Sequence, residues 1–183
     1  MGDIVKPRSF YYLLHPKLVA IVITKCPNGR INAMPAAWIM PVSEEPPTIA
    51  IAIDRESYTF QCLEYCNEAS INIPSLQYAD VVYRLGTVTG RKVDKIEMFK
   101  LALEKSKSIS VPIWRDAIGW IEGRIQQYID VGEVRLYIFE VIEYYAKADA
   151  AGEWGWMFNK ASPLYHVIGR TFATICKTIR LKT

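Results

Sequence analysis

Apolar residues alternate with period two along several stretches of this chain and recur at helical spacing along a few shorter ones. In "TIAIAID" (Thr48–Asp54), Ile49, Ile51 and Ile53 alternate with Ala50 and Ala52, which predicts a strand with one bulky and one small face. "LVAIVITK" (Leu18–Lys25) is a β-branched apolar run closed by "CPNG", a turn sequence, and predicts another strand. "RINAMPAAWIMPVS" (Arg30–Ser43) predicts extended chain. Pro35 and Pro41 exclude a helix there and favour an edge or bulged strand, because proline has no N–H for the ladder. "SYTFQCLEYCNE" (Ser57–Glu68) changes to helical spacing, with Tyr58, Cys62, Leu63 and Cys66 on one side. "ASINIP" returns to strand. "LQYADVVYRLG" predicts a second short helix stopped at Gly86, and "DKIEMFKLAL" a third. Asp116–Tyr145 reads as two long strands joined near Val131-Gly132-Glu133, and "PLYHVIGRTFATI" as a last strand interrupted at Gly169-Arg170.

Strands outnumber helices, and the helices are short and inserted between strands. That pattern predicts a small, mainly β protein with peripheral helices, a mostly antiparallel barrel. There is no low-complexity linker and no internal repeat, so residues 1–183 read as one domain. At 183 residues the chain is long enough for a real core.

Composition narrows the function. A net charge of +3, with acids interspersed among the bases, argues against nucleic acid as a partner. No apolar run approaches the ~18 residues that span a bilayer, and the N-terminus lacks the layout of a secretory signal. The expectation is a cytoplasmic protein with no membrane association. Cys62 and Cys66 stand one helical turn apart, but no second ligand pair accompanies them and His15 and His166 are isolated, so ordinary thiols are expected over a metal site. A cytoplasmic disulfide fits only a hyperthermophile source.

Three stretches carry candidate chemistry. In "NAMPAAWIMPVS", the small Ala33, Ala36 and Ala37 beside Met34, Trp38 and Met40 describe either a trough for a flat ring or a bulged edge strand under a helix. In "DRESYTF" (Asp54–Phe60), Arg55, Ser57 and Thr59 fall at a strand-to-helix junction. Free first-turn N–H groups and the helix dipole favour an anion there, and an ordinary serine cap fits the same residues. "GTVTGRKVDKIEMF" (Gly86–Phe99) gathers Thr89, Gly90, Arg91 and Lys95 just before a helix. Alone it reads as a solvated basic loop. With the first corner and the trough it makes a set suited to a phosphorylated planar cofactor.

The chain resembles the FMN-binding split β-barrel proteins of the flavin reductase-like family, and in particular their flavoredoxin-like branch. The residues that carry the resemblance are "INAMPAAWIMPVSEEPPTIAIAI", "RESYTFQCL", "ASINIP", "TGRKVDKIEMF" and "VPI" (Val111–Ile113), in the family's order. It runs from about Pro16 to the 140s and weakens in the tail. The resemblance implies a homodimer with FMN near the subunit interface; NAD(P)H or a redox partner protein would supply the electrons. It implies that Asn32, Met34, Ala36, Ala37, Trp38 and Ser43 line the isoalloxazine and ribityl chain. Arg55, Ser57 and Thr59 would hold the phosphate, helped by Thr89, Gly90, Arg91 and Lys95, with His166 reaching the flavin edge or the partner. Asp94 fits a helix cap better than a flavin contact, and His15 a surface position.

Where many members carry Gly-Asp-His before their last long strand, this chain reads Gly132-Glu133-Val134. That departure bears on NAD(P)H as electron donor more than on FMN. No nucleophilic triad and no acid–base pair stands out, so no side chain is assigned a catalytic role. The expected function is an FMN-dependent oxidoreductase of the flavin reductase or flavoredoxin kind, carrying electron transfer through the bound flavin. The alternative is a non-enzymatic flavin-binding electron carrier.

Overall fold

The computed structural model describes residues 4–179 and residue 181. Seven strands form one antiparallel sheet: β1 (Ala20–Lys25), β2 (Ile31–Ala36), β3 (Ile39–Glu44), β4 (Pro47–Asp54), β5 (Glu68–Ile73), β6 (Gly119–Val131) and β7 (Val134–Ala146). Their order across the sheet is β2-β1-β5-β6-β7-β4-β3. The two edges, β2 and β3, are therefore consecutive in sequence and separated only by Ala37 and Trp38. A sheet whose edges are tied by two residues must curl until those edges lie together, which makes a barrel split between β2 and β3. Both prolines sit in these edge strands. Pro35 lies opposite Ile21, and Pro41 lies opposite Ile49 beside a bulge. A missing N–H costs no ladder bond on an outer edge.

The predicted long pair is the hairpin β6–β7, running from Val134 opposite Val131 to Ala146 opposite Gly119. Its turn uses Gly132 at φ 56, a conformation that suits glycine. Helix α1 (Tyr58–Cys66) connects β4 to β5, and α2 (Ala79–Thr87) and α3 (Lys95–Met98) follow β5. A final hairpin, β8 (Tyr165–Ile168) and β9 (Thr171–Ala173), turns at Gly169 with φ 52. The tail thus holds two strands where one interrupted strand is predicted.

The core has two parts. Ala20, Val22, Ile49, Ile51, Ile53, Ile71, Tyr137 and Phe139 fill the barrel interior with Leu63 of α1. Ile21 and Ile23, on the opposite face of β1, pack under Val82 and Leu85 of α2 and under Val111, Ile113 and Trp114. Because β1 is covered on both faces, its sequence is continuously apolar and does not alternate.

Two helix ends differ from the reading above. α2 runs one residue past Gly86, which stays inside the helix; a Cβ there would stand 3.2 Å from the Pro35 Cγ. The residue is small because α2 lies close on β2. α3 is a single turn, not a ten-residue helix. Lys100 takes φ 52, the Leu101 N–H bonds back to the Ile96 carbonyl at 3.0 Å, and Leu101 turns into the core.

Cys26 and Cys62 form a disulfide, leaving Cys66 and Cys176 as free thiols. The expectation of ordinary thiols fails for that pair. Among the described residues, no helix is long and apolar enough to cross a membrane.

Candidate functional site

Four contacts fix α1 in place. Ser57 caps it, its Oγ accepting the Phe60 N–H at 3.1 Å. Asn32 Nδ2 on β2 donates to Thr59 Oγ1 at 2.8 Å, and both residues are buried. Cys62 is tied to Cys26 at the end of β1. Glu64 accepts from Arg135 Nη1 at 2.9 Å and from the Tyr137 hydroxyl at 2.6 Å. Arg135 in turn forks onto Asp130 at 2.6 and 2.9 Å and lies 3.7 Å from the Tyr128 ring centroid. The first turn of α1, whose N–H groups no helical carbonyl can reach, is thereby held in a defined place.

The second corner arrives beside it. Asp94 caps α3, its Oδ1 accepting the N–H groups of Ile96 and Glu97, which agrees with its expected role. Lys95 follows and turns inward until it is only 5% exposed. Its Nζ donates to the Leu85 carbonyl at 2.8 Å and the Ala33 carbonyl at 3.1 Å, so it ties α2 to β2. Burial lowers its pKa to about 8. Gly90 is wedged between Asn32 and Tyr58. A Cβ there would overlap Asn32 Oδ1 and stand 2.7 Å from Tyr58 Cδ1.

These residues line one cavity of about 290 Å³. Asn32, Met34, Ser57, Thr59, Thr89, Gly90, Arg91 and Lys95 are brought together there, so eight of the expected residues converge. A neighbouring cavity of about 210 Å³ holds Ala36, Ala37 and His166, with Val19, Tyr83 and Phe172. The two lie end to end. Gly86 borders both, Met34 and Pro35 divide between them on β2, and Val88 and Thr87 divide between them after α2. One end carries hydroxyls, two cations and two acids; the other has mostly apolar walls, with Tyr83, Thr87 and His166 among them. Asn32 Oδ1 is buried with no hydrogen-bond partner, an acceptor that a donor-bearing ligand would satisfy.

Three expected residues fall outside. Arg55 turns away: its Nη2 donates to the Gly132 carbonyl at 2.8 Å and its Nη1 lies 3.9 Å from Asp130. It braces the β6–β7 turn, not the anion corner. Ser43 is exposed on β3 and donates to the Glu45 carbonyl at 3.1 Å. Trp38 is 40% exposed, with its ring 5.7 Å from that of Tyr11. His166 uses Nε2 on the Gly169 carbonyl at 3.2 Å. His15, expected at the surface, donates Nδ1 to the His166 carbonyl at 3.2 Å, and its Nε2 is buried.

Sequence reasoning missed Tyr58, Gly86, Asp54 and Glu56 in the cavity wall. Helical spacing puts Tyr58 on one side with Cys62, Leu63 and Cys66, yet its ring stands against Gly90 and lies 5.8 Å from the Arg91 guanidinium. The two acids adjoin Arg55 and Ser57, and their place beside the cations was the signal available.

This architecture, a split barrel in which the start of α1 and the loop before α3 line one cavity, defines a class, and comparison with known proteins places the chain in it. The chain belongs to the flavin reductase-like family: the model described as flavin reductase like domain matches residues 12–173. The Escherichia coli (strain K12) protein YddH is 29% identical over 171 residues, covering 91% of this chain and 90% of its own. Among solved structures, flavoredoxin of Desulfovibrio vulgaris (Miyazaki F) superposes with a TM-score of 0.86 at 21% identity, covering 99% of this chain and 97% of that one. The FMN-binding protein from Thermus thermophilus, solved with bound 1-cyclohex-2-enone, gives a TM-score of 0.83 at 20% identity and covers 99% of each chain.

Proposed function

We propose that this chain is an FMN-binding flavoprotein oxidoreductase that passes electrons through bound FMN. The observation that carries the reading is the pair of adjoining cavities, one lined by hydroxyls with Arg91 and Lys95 beside two acids, the other by Pro35, Ala36 and Ala37 facing Tyr83, His166 and Phe172. Thr59, Ser57, Thr89 and Arg91 would hold the phosphate with the first-turn N–H groups of α1, and the Lys95 charge lies behind them. Asn32 Oδ1 would accept from a ribityl hydroxyl or a ring N–H. Met34, Ala36 and Ala37 would flank the ring. Gly90 fits because the loop must approach Asn32 closely. When bound, FMN supplies reversible uptake of one or two electrons; the chain supplies position and access.

Exposed Met40 and Val42 on edge strand β3, near exposed Trp38, suit a homodimer in which this edge meets a second copy. Trp38 and Ser43 would then approach the flavin across the subunit boundary. NAD(P)H or a donor protein would supply the electrons.

An absorbance spectrum of the purified protein tests the cofactor directly, with flavin bands expected at one per chain. Thr59→Ala combined with Lys95→Ala should lose FMN on gel filtration while keeping the wild-type circular dichroism. Stoichiometric FMN on that double variant would defeat the assignment. Anaerobic mixing with NAD(P)H separates enzyme from carrier: repeated turnover with an acceptor marks the first, and a yellow protein without turnover the second.

A further inference from the structure

We propose that Arg91, braced on the backbone of Glu56, ends the cofactor seat at a single phosphate, so that the chain selects a flavin mononucleotide over a flavin dinucleotide. This rests on the flavin reading above. Arg91 Nη2 donates to the Glu56 carbonyl at 2.7 Å, joining segments 35 positions apart. Its guanidinium also lies 5.8 Å from the Tyr58 ring centroid. The bridge thus ties the loop 89–91 to the corner 54–57 where both border the polar end of the cavity.

That corner has little freedom to open. Asp54 Oδ1 accepts the Glu56 N–H at 2.7 Å, and the Asp54 carbonyl accepts the Ser57 N–H at 3.1 Å. Arg55 fixes it from behind, its N–H on the Glu133 carbonyl at 3.1 Å and its guanidinium on the Gly132 carbonyl. A mononucleotide stops at its terminal phosphate among Thr59, Thr89, Arg91 and Lys95. A dinucleotide continues with a second phosphate and an adenosine. An extension leaving between the loop 89–91 and the corner 54–57 would displace Arg91 from the Glu56 carbonyl and pass Asp54 and Glu56, two acidic residues that border the same cavity. It therefore loses a charge-assisted hydrogen bond and meets like charge.

The test titrates flavin-stripped protein with riboflavin, FMN and FAD, following flavin fluorescence at one ionic strength. Wild-type protein should bind FMN at least roughly tenfold more tightly than FAD, the worth of one charged hydrogen bond. Arg91→Ala should weaken FMN by about tenfold and tighten FAD by about threefold or more, with riboflavin unchanged as the report on the ring end. Arg91→Lys keeps the charge but lacks the planar fork, so it should hold FMN within about threefold and still admit FAD. The inference is overturned if wild-type protein takes FAD as tightly as FMN. It is equally overturned if FAD binding weakens in step with FMN in Arg91→Ala, or if Arg91→Lys still excludes FAD. Failure of wild-type protein to bind any of the three flavins would instead defeat the flavin reading itself.

Discussion

Asn32 Nδ2 donates to Thr59 Oγ1 at 2.8 Å, joining the edge strand β2 to the first turn of α1 inside the protein. Both residues are buried, and the Asn32 amide N–H has Thr59 as its hydrogen-bond partner. Thr59→Val keeps the shape and removes the acceptor, leaving a buried amide unpaired. The expected cost is about 1–3 kcal/mol in urea unfolding of the stripped protein. Asn32→Ala in the Thr59→Val background should cost less than the sum of the two single changes, because the second removes the orphan left by the first.

Gly90 offers a sharper test of close approach. An added methyl would overlap Asn32 Oδ1 and press on Tyr58. The neighbours are a buried amide and an aromatic ring, neither of which yields easily. Gly90→Ala should displace the loop 89–91 and weaken FMN binding by roughly tenfold or more, read by equilibrium dialysis. Gly29→Ala is the control at a glycine with open space around it. Its positive φ adds strain, yet it should leave the flavin affinity unchanged.

Much of this arrangement is legible in the residues, and its gaps have physical causes. Period-two patterning gives β4, and Pro35 and Pro41 mark 30–43 as edge or bulged chain, but its division at Ala37 and Trp38 into the two opposite edges of the sheet depends on the whole barrel. The two corners follow from local chemistry, since caps and turns depend on residues a few positions apart. Arg55 escapes that logic. It precedes Ser57 by two positions, but the chain is turning there, so its side chain leaves toward Gly132 while Ser57 faces the cavity. The length of α3 depends on Leu101 being drawn into the core, a tertiary demand with no local sign. The pairing of Cys26 with Cys62 spans 36 positions and depends on α1 packing over β1. Spacing draws attention to Cys66 instead.

Lys95 predicts two opposite pH responses. Burial lowers its pKa to about 8 from 10.5, so the folded chain releases this proton before the unfolded chain does. Between about pH 8 and 10.5 the unfolded state holds more protons, and stability from this group rises with pH; below that window the burial penalty is fully present. FMN retention should run the other way. Two of the three ammonium donors serve Ala33 and Leu85, and the positive charge is lost above pH 8. FMN binding should weaken roughly tenfold from pH 7 to 9.5, while the urea midpoint of stripped protein moves up over the same span. Lys95→Met should flatten both curves relative to wild type. If it flattens neither, this ammonium is not the titrating group.

The Cys26–Cys62 disulfide sets the last expectation, because it fastens the turn after Thr59 to the strand preceding β2. Both cysteines are fully buried, and the bond closes a loop across 36 positions. Restricting the unfolded chain over such a loop is worth about 3–4 kcal/mol. Cys26→Ser with Cys62→Ser should therefore lower the melting temperature of the stripped protein by about 6–16 °C, at 2–4 °C per kcal/mol for a chain of this length. Cys66→Ser, which leaves the bond intact, should move it little. Because the bond fixes α1, the double variant should also bind FMN more weakly at 25 °C, where it remains folded. A double variant that melts early but binds FMN like wild type would show that the Asn32–Thr59 and Glu64–Arg135 contacts alone orient the helix.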